Sequence, residues 1–215
     1  MKFKECTTYF QAIEQELSRT AMTKILSELL TQATATDSKI ISYVSMGSLF
    51  PPYQDLQFNI AQKNMIVILA ELLGVTDTTI THHVKQAGDL GLVVFDLWKG
   101  EDQGLSLREI YEQLIEMAQV TGTGSSDKKA KKLIKILQNV DNLGAKFIVR
   151  IVTKTMRLGF SDMTFLDALS WMECGSKKLT SVIEHAYNIC ADLGLVTYTL
   201  KSEGIHAVEN MKIHV

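Results

Sequence analysis

Residues 60–74 read IAQKNMIVILAELLG. Met65, Ile66, Val67, Ile68 and Leu69 make it apolar nearly all round, the pattern of a helix buried at the centre of a domain. Gly74 supplies the residue that closes such a helix, so a central helix is predicted over Ile60–Leu73. Outward from it, strong helix formers dominate and apolar residues recur at three- and four-residue spacings. Phe10, Ile13 and Leu17 form one such face, and Ile25, Leu26, Leu29 and Leu30 another. Ile110–Met117, Leu133–Leu137, Phe147–Leu158, Phe165–Trp171 and Val182–Leu193 continue the series, and prolines are confined to Pro51 and Pro52. Leu92–Leu97 and Val196–Leu200 alternate and admit an extended reading, but two short runs cannot build a sheet core. The prediction is an all-α fold of about ten to twelve helices.

The 215 residues are 46% hydrophobic and 21% charged, which excludes a disordered chain and allows a sizeable core. No apolar run reaches the ~18 residues of a membrane span, and MKFKECTTYF lacks the apolar stretch of a signal peptide. Cys6, Cys174 and Cys190 are odd in number and far apart, against a disulfide framework or a zinc site. The expectation is a protein of the cytoplasm, with no membrane partner.

A weak internal repeat runs through the chain. GDLGLVVFDL at 88–97 parallels ADLGLVTYTL at 191–200, an offset of 103 residues. Tyr9 pairs with Tyr111, Ile25-Leu26 with Leu133-Ile134, and the segment ending at Phe50 with the one ending at Gly159. The offsets drift but the order is kept, so two pseudo-symmetric halves are expected, about 1–103 and 104–215. Asp89 and Asp192 suggest paired carboxylates at first sight. The better reading is a helix terminus closed by Gly91 and by Gly194.

The net charge of −2 conceals an asymmetry. Between Lys128 and Arg157 nine cations stand against Asp141 alone, a local charge of +8 that leaves −10 for the rest. GTGSSDKKAKKLIKIL, residues 122–137, opens this block. Gly122 and Gly124 permit unusual dihedrals, and Ser125 or Ser126 is expected to cap a helix whose free N–H groups suit an anion. Lys128 and Lys129 fall in the first turn, where the helix dipole disfavours cations unless an anion arrives. No nucleotide-binding P-loop spacing is present. AKFIVRIVTKTMRLGF, residues 145–160, follows. As one continuous helix it would carry Lys146, Arg150, Lys154 and Arg157 within an arc of about 80°, with an apolar face opposite. A stripe of one charge sign beside a Gly-Ser loop points to a phosphate backbone.

G-x-G-S-x-x-K-K followed by A-K-F-I-V-R-I-V-x-x-x-x-R-L-G resembles the N-terminal DNA-binding domain of ATP-dependent DNA ligases of the archaeal and eukaryotic type. SRTAMTKILSELL (18–30), GSLFPPYQDLQFNIAQK (47–63), GDLG (88–91) and AYNICADLGLV (186–196) agree in order, so the likeness spans about residues 3 to 215. Gly144 departs from it, standing where the family usually has Glu. The His82-His83 region is also atypical.

The resemblance implies sequence-independent binding of nicked double-stranded DNA through phosphates and the minor groove. It assigns this to Ser18, Arg19 and Thr20 from the first half. From the second half it assigns Gly122, Gly124, Ser125, Ser126, Lys128, Lys129, Lys132, Lys146, Arg150, Lys154 and Arg157. It also implies a parent enzyme using ATP and Mg²⁺ in DNA replication, repair and recombination, located at the nucleoid or in a nucleus. The catalytic domains of the same chain, and a sliding clamp, are the expected partners. The family's Lys-x-Asp-Gly adenylation motif has no counterpart, since the sequence contains no Asp-Gly pair. The chain is therefore expected to be a part of such a ligase, inactive alone, with no catalytic residue and no cofactor of its own. The histidines show no metal-ligand spacing and no nucleophile motif appears, so no metal is expected. The rival reading is a helical-repeat adaptor that docks an acidic protein on its basic face.

Overall fold

The computed structural model describes residues 1–54 and 56–212. Among them lie thirteen helices: α1 (Phe3–Gln15), α2 (Arg19–Gln32), α3 (Ala35–Ser45), α4 (Gln62–Leu73), α5 (Asp77–Ala87), α6 (Leu90–Leu97), α7 (Leu107–Ala118), α8 (Ser125–Leu137), α9 (Asn142–Val152), α10 (Asp162–Cys174), α11 (Thr180–Cys190), α12 (Leu193–Glu203) and α13 (Ile205–Glu209). The fold is all-α. Residues 60–74 contain α4, closed by Gly74 in the left-handed conformation (φ 66°), but it is not buried all round: Met65, Ile68, Leu69 and Ala70 are buried while Val67 is 50% exposed. No single helix among the described residues is long and apolar enough to cross a membrane.

Both runs that admitted an extended reading are helices, α6 and α12. Leu90, Val93, Val94, Leu193, Val196 and Leu200 are buried. A short apolar run looks alike in a helix and a strand, and burial here favours the helix. Gly91 and Gly194 do not close helices as expected; they sit in the first turns of α6 and α12. Asp89 and Asp192 are the N-caps, accepting the N–H of Gly91 at 2.8 Å and of Leu195 at 2.9 Å. Each glycine is required by close approach. A Cβ on Gly91 would stand 2.8 Å from the Arg150 side chain, and one on Gly194 2.3 Å from the Tyr43 ring.

The chain forms two compact units, and these do not coincide with the sequence halves 1–103 and 104–215. One unit comprises Met1, Thr8–Asp55 and Arg157–Val215; the other comprises Lys2–Thr7 and Leu56–Met156. In the first unit α3 packs on α12 and α2 on α10. In the second α9 packs on α6 and α8 on α4. Each unit thus joins early helices of one half to late helices of the other, so the boundary near residue 103 is not a spatial one.

At an offset of 103 residues two pairs of positions play like roles. Gly88 and Ala191 are the left-handed C-caps of α5 and α11, with φ 69° and 50°. Trp98 donates its indole N–H to the Val140 carbonyl just beyond α8. Lys201 donates its ammonium to the Leu30 and Thr31 carbonyls in the last turn of α2.

Candidate nucleic-acid interface

In the second unit, the loop entering α8 turns on Gly122 (φ 83°) and Gly124 (φ 73°). Nothing lies within 4 Å of a Cβ built on either, so the dihedral, not space, calls for glycine. The N-cap is Gly124 and not Ser125 or Ser126, and no side chain caps this end. Ser125 N–H donates to the Gly122 carbonyl and Lys128 N–H to the Gly124 carbonyl. The N–H groups of Ser126 and Asp127 are then the unsatisfied donors of the first turn, at the positive end of the dipole. Ser126 and Lys128 are exposed, and Ser125 is half-buried.

The predicted basic stripe breaks up. Lys129 is buried and donates to the Phe58 carbonyl at 2.9 Å. Half-buried Lys132 pairs with Glu116 of α7 at 3.2 Å. Lys146 is buried, its ammonium 5.3 Å from the Phe95 ring and 5.1 Å from Phe147. Arg150 is 1% exposed and forks onto Asp89, donating to Oδ2 from Nε at 2.9 Å and from a terminal nitrogen. Lys129, Lys146 and Arg150 hold the unit together, whereas the Lys132–Glu116 pair lies at the surface, with 43% of the lysine side chain exposed. The stripe also assumed a helix running to Leu158, whereas α9 ends at Val152.

Beyond that end the backbone makes a Schellman turn. Lys154 N–H donates to the Ile151 carbonyl and Thr155 N–H to the Arg150 carbonyl. Lys154 occupies the left-handed position (φ 55°) where glycine is usual, and its side chain is exposed. Gly144, in the first turn of α9, donates its N–H to Asp141 Oδ1 at 2.9 Å.

In the first unit, Arg157 is exposed and likewise left-handed at φ 55°. Ser18 caps α2, with Oγ accepting the Ala21 N–H at 3.4 Å, and Arg19 and Thr20 follow it in the open. Leu17, expected on the buried face with Phe10 and Ile13, is instead 96% exposed because α1 ends at Gln15. Strained non-glycine residues cost roughly 1–2 kcal/mol each and concentrate at functional positions. Among the described residues four non-glycine positions have positive φ, Asn59, Lys154, Arg157 and Ala191, and that two of them are exposed cations was not legible in the sequence.

The family model described as DNA ligase N terminus matches residues 2–170. The chain belongs to this DNA ligase N-terminal family. Its relatives include a probable DNA ligase of Persephonella marina, 35% identical over 221 residues, the match covering all of this chain and 38% of the relative. A DNA ligase of Sulfurisphaera tokodaii is 31% identical over 229 residues, with 100% and 38% covered. DNA ligase 1 of Methanosarcina acetivorans is 30% identical over 207 residues, with 96% and 36% covered. This ligase N-terminal chain thus spans a little over a third of the length of these relatives. Among the described residues, no three His, Cys, Asp or Glu side chains are grouped to hold a metal ion; His214 lies outside them.

Proposed function

We propose that this chain is the DNA-gripping part of an ATP-dependent DNA ligase, holding nicked duplex DNA without reading its sequence. The observation that carries the reading is the entrance to α8: two left-handed glycines, an end without a side-chain cap, and exposed Lys128 beside it. Such an end accepts a phosphate oxygen on backbone N–H groups, and the lysine adds charge that the dipole alone disfavours. Lys154, Arg157 and Arg19 add cations held on defined backbone. Lys129, Lys146 and Arg150 serve indirectly, by fixing the helices from which the contacts project. Strand joining, with its ATP and Mg²⁺, belongs in this reading to the longer ligase chain and its catalytic domains.

The test is equilibrium binding of the chain to two nicked duplexes of unrelated sequence over a series of salt concentrations. The expected result is equal affinity for both and a log–log slope of about −0.9 per neutralised phosphate. A flat salt dependence, or strong preference for one duplex, contradicts the proposal.

A further inference from the structure

Within the first unit a cleft of about 200 Å³ opens among the end of α3, the 48–52 loop, α11 and the starts of α10 and α12. Met46, Phe50, Pro51 and Leu193 make its walls apolar, with Tyr43 and Tyr187 among them. Its size suits a short alkyl chain with one head group and is too small for a drug-sized ligand.

The polar groups decide which head group. All four hydroxyls of the lining already donate within the protein. Tyr43 donates to Asp192 Oδ1 at 2.8 Å and Tyr187 to Asp162 Oδ2 at 3.0 Å. Ser42 donates to the Lys39 carbonyl and Ser48 to the Phe50 carbonyl, each at 2.7 Å. A hydroxyl has one proton to give, so these four offer a ligand only lone pairs. No Lys, Arg or His lines the cleft. The two helix starts that reach it carry their own carboxylates, Asp162 in the first turn of α10 and Asp192 at the N-cap of α12, which answer the positive ends of the dipoles. Asp162 is exposed, and its Oδ1 has no partner among the described residues. In this unit as a whole, Asp and Glu outnumber Lys and Arg.

Apolar and aromatic walls, acceptors without donors and an open carboxylate together select a cation on an apolar stem. With Oδ2 of Asp162 held by Tyr187, the two-oxygen fork that a guanidinium prefers is not available. An ammonium is a compact charge with three donors, enough to meet Oδ1 and neighbouring hydroxyl lone pairs together.

We propose that this cleft is a binding site for a primary alkylammonium group, its chain against Met46, Phe50 and Leu193 and its charge on Asp162. The same group arrives on a lysine side chain of a partner protein or on a free linear amine. Duplex binding plays no part in it.

The test is a titration of the isotope-labelled 215-residue chain at fixed ionic strength, followed by the amide NMR signals of Met46, Tyr187 and Leu193. The probes are n-butylammonium, which is a lysine side chain alone, n-butanol, butyrate, diaminobutane and a capped Ala-Lys-Ala peptide. Butylammonium is expected to bind with a dissociation constant on the order of millimolar, at least tenfold more tightly than butanol, and butyrate to give no saturable shift. Asp162→Asn, which keeps an acceptor for Tyr187, should stay folded and bind butylammonium at least tenfold more weakly. Peptide binding as tight as that of butylammonium supports the site with a lysine as the source, and binding of diaminobutane without the peptide supports it with a free amine. The proposal is overturned if butylammonium does not bind, if butanol or butyrate matches it, or if both diaminobutane and the peptide fail. It is equally overturned if folded Asp162→Asn binds butylammonium like the parent; should that variant unfold, the probe series on the parent decides alone.

Discussion

Arg150 and Asp89 form a buried ion pair in which both carboxylate oxygens are used, Oδ2 by the guanidinium and Oδ1 by the Gly91 N–H. The same arrangement recurs with different chemistry at Asp192. Its Oδ1 accepts the Tyr43 hydroxyl at 2.8 Å and the Leu195 N–H, and its Oδ2 accepts the Tyr53 hydroxyl. In each case the N-cap of a late helix of one half is joined to a helix of the other.

Removing Arg150 therefore strands a buried carboxylate. Arg150→Ala is expected to cost about 3–5 kcal/mol of stability, read by urea denaturation. Gly91→Ala should also destabilise, because the new methyl meets Arg150. An Arg150→Ala chain as stable as the parent, but with a lower salt slope for DNA, would make Arg150 a phosphate contact after all.

Ala191 holds a left-handed conformation that its counterpart Gly88 adopts without strain. Ala191→Gly should stabilise the chain by about 0.5–1 kcal/mol once the extra backbone entropy of glycine is deducted. The denaturation midpoint checks it. An unchanged or lower midpoint would mean the position carries no strain.

Burial, and next the charge of Asp162, push the Tyr187 hydroxyl up from 10.0 to about 12. Tyr187 donates to Asp162 at 3.0 Å. Between these two values the unfolded chain loses the phenolic proton while the folded chain keeps it. The contribution of Tyr187 to stability is thus complete below pH 10 and lost as pH rises through 12. Tyr187→Phe should flatten the decline of stability in that window. In a spectrophotometric titration, the parent-minus-variant difference should show one tyrosinate appearing near pH 12.

Gly124 tests the loop. With open space around it, Gly124→Val is opposed by the dihedral alone and should weaken duplex binding, whereas Gly124→Asn, which tolerates φ > 0, should retain more of it. Equal binding by both variants would show that the α8 entrance does not depend on this conformation.

Periodicity made the helices legible, and the two DLG segments open α6 and α12. What stayed hidden was how the halves exchange partners, since the packing of α3 on α12 leaves no local signal. The charges were legible only as a sum. Lys129 and Lys132 share α8 with Lys128, but their different fates depend on Phe58 and Glu116, 71 and 16 residues away along the chain. Arg150 reads as a surface cation until Asp89, 61 residues earlier, is brought beside it. The helix end at Val152 defeated the projected stripe, because nothing before Lys154 announces a left-handed turn at a lysine.

The cations proposed to meet phosphate, such as exposed Lys128 and Lys154, are distinct from buried Lys129, Lys146 and Arg150, which hold the fold. The salt dependence of duplex binding by the Lys128→Ala, Lys154→Ala double variant tests that division. A parent-like Tm and a log–log slope reduced by about two units are expected. An unchanged slope would contradict it.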